Sequence, residues 1–350
     1  MSRTSTSLSV ALGSKCGLYG GTRMFMCGFR TLSAQHVNGR RACRARIALI
    51  SFHPETPALS NTPIRSALYL PANKDRAVEK ARNLSCDAVI LDLEDSVAPD
   101  AKTLAREQAV AAVGAGGFRS GAPIIRVNDL GSPWGVDDLH AVAKSAASAV
   151  LVPKVFSPHD LAACRGHLPD HIGLWAMVET CAAILHIDAI ADAGRSLGLR
   201  GLIIGPNDLA REMRCRPGKD RMPLIPALTR TIMAARAHGL IVLDGVYNDF
   251  RDPDGLRGEC AQGVRLGFDG KSLIHPDQIA IANAAFSPSD EEIAAAQAVV
   301  EAFALPENAG KGVINAGGRM LELLHLAEAQ RVLALARMIA ALAVPMHVEI

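Results

Sequence analysis

Eight short apolar runs, each followed by a longer amphipathic stretch, set the tightest limit on how this chain can fold. The runs cover residues 66–70, 88–91, 124–127, 149–152, 174–178, 201–204, 240–243 and 267–271. Most of their residues are apolar on both faces, which is how a strand buried in a parallel sheet reads. Between and after them the spacing predicts helices over 75–84, 102–113, 136–145, 158–167, 181–191, 223–238, 254–262 and 276–285. Pro158 and Pro276 stand where a first-turn proline fits, because that position has no intrahelical N–H partner to lose. His238-Gly239 and Ala193-Gly194 read as helix ends. Eight strands alternating with eight helices over roughly 220 residues is the count and size of an α/β protein of the TIM (β/α)8 barrel type. A doubly wound open sheet is the rival, but it would carry a glycine-rich phosphate loop after its first strand. Here Leu70-Pro71-Ala72-Asn73 follows, without glycine.

After the eighth helix come Phe286-Ser287-Pro288 and a helix-like stretch over 290–303. Residues 306–318, rich in Gly and Asn, read as a mobile loop. Residues 320–342 are Ala- and Leu-rich and read as one long helix, either a lid or subunit contact or a cover for the barrel's outside. The expected division is a poorly ordered leader over 1–60, a TIM barrel over 61–287 and a C-terminal helical extension with a lid over 288–350.

The leader is set apart by its charge. Residues 1–54 hold no Asp or Glu but seven Arg (Arg3, Arg23, Arg30, Arg40, Arg41, Arg44 and Arg46). That is the composition of an organelle transit peptide; the alternative is an extension from an over-early start, with Met24 and Met26 as later starts. The expected compartment is cytoplasmic, or the mitochondrial matrix if the leader is a transit peptide. With 49% hydrophobic and 21% charged residues, the chain suits a soluble globular protein with a large core. A net charge of +2 sets up no field for nucleic acid, and no run is long and apolar enough for a membrane span. The eight Cys are scattered, with no C-x-x-C pair, which argues against a disulfide framework or structural zinc.

In a TIM barrel, chemistry sits at the C-terminal ends of the strands. The second run leads into LDLEDSV (91–97), with Asp92, Glu94 and Asp95. The third ends with Arg126 and Asn128, the fourth with Pro153-Lys154 and the fifth with Glu179. The sixth is followed by IGPNDLA (204–210), with Asp208; the seventh ends in Asp244, and the eighth in GKSLIHPDQ (270–278). Acids at successive strand ends can converge on one point, and few carboxylates with an open coordination sphere suit Mg²⁺. Arg126 offers a planar fork for a carboxylate or carbonyl. A metal chelating a 2-oxo acid gives Lewis-acid catalysis of an aldol-type reaction, and the resulting enolate needs cationic support. Each residue taken alone has a plainer reading. An acid after a strand also serves as a helix N-cap, LDLED as a solvated turn, Lys154 as a partner for a nearby acid and His275 as a helix-start buttress. The ordered set carries the weight.

Read together, RSALYLPANK (65–74), DAVILDLEDSV (87–97), IIRVND (124–129), LVPKV (151–155), MVET (177–180), IGPNDLA and GFDGKSLIHPDQI (267–279) resemble the HpcH/HpaI aldolase and citrate lyase β-subunit family. The resemblance runs in order from about Arg65 to about Ala336. It implies a TIM barrel, a homo-oligomer (trimer or hexamer) and Mg²⁺ at the mouth. The implied metal ligands are Glu179 and Asp208, and the implied holder of the oxo or carboxylate group is Arg126. Glu94 and Asp95 are implied around the metal and its waters, with Arg65 and Lys154 at the same mouth. The implied partners are an acyl-CoA thioester and a 2-oxo acid.

The chain departs from the family at the lid. The acyl-CoA branch has Gly-x-Met-x-Asp-x-Pro there, whose Asp acts across a subunit interface. This chain has Glu322 at the Asp position and Leu324 at the Pro position. The extra methylene moves the carboxylate by roughly an ångström, a shift that can cost about 100-fold in rate. The expected function is a Mg²⁺-dependent lyase cleaving or forming a β-hydroxyacyl-CoA such as malyl-CoA or citramalyl-CoA, with Glu322 managing a proton or water. The alternatives are a β subunit acting on a carrier-bound citryl group, and a barrel that binds acyl-CoA or metal without turnover.

Overall fold

The eight apolar runs pair side by side in chain order, and the last pairs with the first. The strands are β1 (Ser66–Pro71), β2 (Ala88–Asp92), β3 (Ile124–Arg126), β4 (Ala149–Val152), β5 (Gly173–Val178), β6 (Leu199–Ile204), β7 (Ile241–Asp244) and β8 (Gly270–Leu273). All eight pairings are parallel, β1 with β8 included, so the sheet closes into a TIM barrel. This computed structural model describes residues 62–121 and 123–343, so the leader expected over 1–60 lies outside the described residues. Around the barrel run α1 (Asp75–Ala81), α2 (Lys102–Ala115), α3 (Gly135–Ala143), α4 (Pro158–Arg165), α5 (Cys181–Ser196), α6 (Pro206–Met213), α7 (Ile225–Ala237), α8 (Pro253–Leu266) and α9 (Ile279–Ala285). Among the described residues, no helix is long and apolar enough to cross a membrane.

The two faces of each strand meet different apolar surroundings, which explains the unbroken apolar runs. Ala67, Ile90, Ile124, Leu151, Trp175, Ile203 and Leu243 form one buried cluster, inside the barrel. Their neighbours Leu68, Leu91, Ile125, Val150, Leu174, Leu202 and Val242 belong to a second cluster, shared with the helices. Trp175 is the bulkiest side chain of the inner cluster, and Gly201 on β6 faces it directly. A Cβ at Gly201 would overlap the indole ring.

Several boundaries differ from the sequence expectation, each for a local reason. The run at 267–271 starts its strand only at Gly270, because Gly267 (φ +102°) closes α8 in the left-handed conformation. Gly194 does not end α5, which continues to Ser196. Its missing side chain leaves room for Leu199, whose Cδ2 and Cβ lie where a Cβ on Gly194 would go. Between β6 and its crossover helix α7 stands an additional short helix, α6. The stretch read as a mobile loop contains a hairpin, β9 (Val313–Ala316) paired with β10 (Arg319–Glu322). Gly317 and Gly318 turn it, both at positive φ, the requirement of a two-residue hairpin loop. Met320 therefore lies in a strand, and the long helix α11 (Leu323–Ala343) starts three residues later than expected. It packs against α10 (Asp290–Ala304).

Replacing Gly201 by Ala forces a methyl group into the Trp175 ring. We expect a loss of about 1–3 kcal/mol from overpacking, measured by urea denaturation. An unchanged midpoint would mean that the interior is looser than the geometry requires.

Candidate active site

Period-two alternation decides which strand-end groups look into the barrel. On β2, Ala88 and Ile90 face inward, and Asp92 continues that row; on β3, Ile124 faces inward and Arg126 follows. Asp92 and Arg126 are direct register partners. The Arg126 side chain is 9% exposed and that of Asp92 1%. Arg126 Nε donates to Asp92 Oδ1 at 2.6 Å and Nη2 donates to Oδ2 at 2.6 Å. This is the two-pronged arginine–carboxylate geometry. Burial alone pushes the Asp92 carboxyl up, but the Arg126 charge and fork, with Ser96 and the Glu94 N–H, hold it below the usual range. Arg126 also lies over the Tyr69 ring, 5.0 Å from its centroid.

The remaining nitrogen, Nη1, faces the other acids. It stands 2.9 Å from Glu94 Oε2 and 3.7 Å from Asp95 Oδ2. The Glu94 contact is ionic but poorly aligned, and Oε2 is left buried without a hydrogen bond. Glu94 Oε1 accepts from Lys154 Nζ at 2.6 Å. Burial raises the Glu94 pKa despite both cations. Lys102 anchors the turn carrying Glu94, its Nζ donating to the carbonyls of Leu93 (2.8 Å) and Glu94 (2.6 Å).

Glu179 follows β5 and is 1% exposed. Its Oε1 accepts from the Lys154 backbone N–H at 2.7 Å. Lys154 achieves this in the left-handed region (φ 49°), a strained conformation for a lysine of the kind that collects at functional sites. The Glu179 pKa is pushed up to about 7, first by burial, then by the Glu94 charge, with Asp208 adding to it. Asp208 lies in the first turn of α6 and pairs with Arg211 at 2.6 Å. Gly205, just before α6, packs so closely on Glu179 that a Cβ there would meet Glu179 Cβ at 2.5 Å and Oε2 at 2.7 Å.

The structure thus brings Arg126, Glu94, Asp95, Lys154, Glu179 and Asp208 together at one mouth. It does not bring Arg65 there, which corrects the expectation. Arg65 precedes β1, at the opposite end of the barrel, where Nε and Nη2 donate to Asp87 at 2.8 Å each and Nη1 donates to Ser287 Oγ at 3.0 Å. Glu322 ends β10, and its backbone N–H donates to His325 Nδ1; no hydrogen bond or ion pair among the described residues joins it to the mouth. Asp92 stood among the strand-end acids without an assigned role, and Tyr69 and Lys102 were given none at the mouth. The alternation of β2 already aimed Asp92 inward, and that of β1 did the same for Tyr69.

Could the mouth hold a cation? Among the described residues, no group of three or more His, Cys, Asp and Glu makes a ready cage. A Mg²⁺ ion needs less, since it takes one or two carboxylates and keeps its waters. The mutual repulsion felt by Glu179 and the unbonded Glu94 Oε2 are what such an ion would relieve. The residues fit.

The fold and mouth define a class of barrel enzyme, and comparison with known proteins agrees. Residues 65–276 match the model of the HpcH/HpaI aldolase/citrate lyase family, and the chain belongs to that family. It is 47% identical over 279 residues to a (3S)-malyl-CoA thioesterase of Cereibacter sphaeroides, covering 80% of this chain and 96% of that one. It is 30% identical over 291 residues to the mitochondrial citramalyl-CoA lyase of Homo sapiens, covering 78% of this chain and 86% of that one. Among solved structures, protein CitE from Mycobacterium tuberculosis, in complex with magnesium, acetoacetate and coenzyme A, superposes with a TM-score of 0.66. That match has 28% identity and covers 79% of this chain and 99% of that one.

Changing Asp92 to Asn removes the charge that holds the buried Arg126 fork. We expect a loss of about 3–5 kcal/mol in chemical denaturation, because a buried cation loses its main partner. A loss below about 1 kcal/mol would mean that Glu94 alone suffices.

Proposed function

We propose that this chain is a Mg²⁺-dependent carbon–carbon lyase acting on a β-hydroxyacyl-CoA such as malyl-CoA or citramalyl-CoA, releasing or joining acetyl-CoA and a 2-oxo acid. One observation carries the reading. A buried arginine, locked by Asp92 and with Nη1 also donating to Met177 Sδ, turns that nitrogen toward Glu94 and Asp95, while the buried Glu179 at the same mouth has no ion pair among the described residues. Glu179 and Asp208 would hold the cation. When bound, Mg²⁺ supplies Lewis-acid polarisation of the 2-oxo acid carbonyl.

The chain's own residues do the rest. Arg126 Nη1 binds the carboxylate or oxo group of the 2-oxo acid, and the Asp92 fork keeps that donor in place. Glu94, Asp95 and Lys154 line the same mouth and orient the substrate. Cleavage passes the β-hydroxyl proton to a carboxylate of the mouth, breaks the carbon–carbon bond and leaves the electron pair on the thioester as an enolate. The enolate then gains a proton to become acetyl-CoA. Glu322 is the candidate for that proton. Because it stands apart from its own mouth, we assign it to the mouth of a neighbouring copy in a trimer or hexamer. A second reading, thioester hydrolysis at the same mouth, is favoured by the 47% identity to a malyl-CoA thioesterase.

The test is a coupled assay of the purified chain on (S)-malyl-CoA and (S)-citramalyl-CoA, following 2-oxo acid and free thiol separately. We expect 2-oxo acid release with Mg²⁺ and its loss on adding EDTA. Thiol without 2-oxo acid would select the hydrolytic reading; neither product from either substrate would sink both. Glu179→Gln and Asp208→Asn should each lower kcat/KM by about 100-fold or more. Unchanged activity in both variants would rule out their assignment as ligands.

A further inference from the structure

Behind the mouth lies a buried charged cluster that the proposed reaction does not use. Lys271 on β8 and Asp244 at the end of β7 are both 0% exposed. Lys271 continues the row of Leu273, which packs in the helix-facing cluster, so its side chain points away from the barrel interior. Its Nζ donates to Asp244 Oδ2 (3.1 Å), to the Gly245 carbonyl (2.5 Å) and to Glu259 Oε1 on α8 (2.7 Å). Asp244 also accepts from Arg221 Nη1 at 2.7 and 2.9 Å, and its Oδ1 accepts from the Gly245 N–H at 2.8 Å. Both polar groups of Gly245 are therefore clamped by buried ions.

Gly245 is also where the cluster reaches the mouth. A Cβ on it would overlap the ring of Pro206 and lie 2.8 Å from the Ile204 carbonyl. Pro206 opens α6, and Asp208 stands in the first turn of that helix. On its other side, the Gly205-Pro206 step rests on Glu179. Three residues beyond Gly245, Asn248 makes a reciprocal pair with Asn207, the neighbour of Asp208: Asn248 Nδ2 donates to Asn207 Oδ1 at 2.8 Å, and Asn207 Nδ2 donates back at 3.2 Å. So 245–248 is the wall against which the start of α6 is set, and Lys271 holds that wall from behind.

We propose that Lys271 is a positioning residue for Asp208, acting through Gly245 and Pro206, with Asn248 fixing the same helix start from the surface. The inference rests on the reading of Glu179 and Asp208 as cation ligands. Stability alone is a poor reason to keep such a cluster, because apolar residues of similar volume in place of buried ions are often as stable or more so. Placement is the better reason. Besides the helix start that carries it, the only ion pair to the Asp208 carboxylate among the described residues is with the exposed Arg211, and partners behind a metal ligand set its affinity.

The test uses Mn²⁺ as the probe and the full chain, with bound and free ion separated by electron paramagnetic resonance. Lys271→Met and Asn248→Ala should each weaken Mn²⁺ binding about 10- to 100-fold. In the Asp208→Asn background, neither should weaken it further. Kinetically, the Mg²⁺ concentration needed for half activation should rise while KM for the acyl-CoA stays put. If wild type binds Mn²⁺ and both variants bind equally well, the inference is overturned and the functional reading stands. It is also overturned if the variants weaken binding as much without Asp208 as with it, since that is general loosening. If wild type binds no Mn²⁺, the cation reading itself falls, and this inference with it. Should Lys271→Met fail to fold, Glu259→Gln, which takes the charge from one partner of Lys271 and leaves the Asp244 pair, replaces it beside Asn248→Ala and is expected to weaken Mn²⁺ binding in the same Asp208-dependent way.

Discussion

A guanidinium inside a barrel is tolerable only if its charge and its N–H groups find partners there. Arg126 finds both in Asp92, its register partner on the neighbouring strand. The fork consumes Nε and Nη2, the Tyr69 ring supports the flat face, and one nitrogen is left for the mouth. Much else follows from that geometry. Glu94 is drawn toward Nη1, Lys154 is drawn to Glu94, and the Lys154 backbone, bent into the left-handed region, reaches Glu179. A chain of charge contacts thus links the ends of four successive strands, β2 to β5.

The sixth strand joins by a different means. Asp208 enters through a helix start pressed between Glu179 and Gly245, with glycine on both sides of the contact. Close backbone approach does here what ion pairing does on the other side of the mouth. The two halves of the site therefore have different sensitivities: charge changes disturb the Arg126 side, and small increases in volume disturb the α6 side.

Much of this was legible in the residues themselves. Eight apolar runs implied eight buried parallel strands, and the polar residues closing most of them pointed to the mouth; Asp244, closing the seventh, turns instead to the cluster behind it. Arg126, Glu179, Lys154 and Asp208 came from that rule. Arg65 misled for a physical reason: it begins its strand rather than ending it, so the same rule, applied strictly, excludes it. Helix α6 escaped notice because it is only eight residues long and opens at Pro206 straight after a strand-end glycine, a short polar stretch that reads as a loop. The β9–β10 hairpin was hidden by its two glycines, which serve a tight turn as readily as a mobile segment. Lys271 was beyond reach. Only the fold reveals that a lysine in an apolar run meets an aspartate 27 positions earlier and a glutamate 12 positions earlier.

Arg65 has a consequence of its own. It ties the first strand to Asp87 on one side and to Ser287, 222 positions later, on the other, beside the β1–β8 seam. On the ribosome, the first strand is made early and waits for β8, the last strand of the barrel to emerge. Until β8 is free of the exit tunnel, β1 exposes an unpaired edge, the kind of surface that seeks other chains. A barrel closed by a latch of such long sequence separation cannot be finished piecemeal. Its two ends of synthesis must meet before the mouth at the other end has a fixed shape.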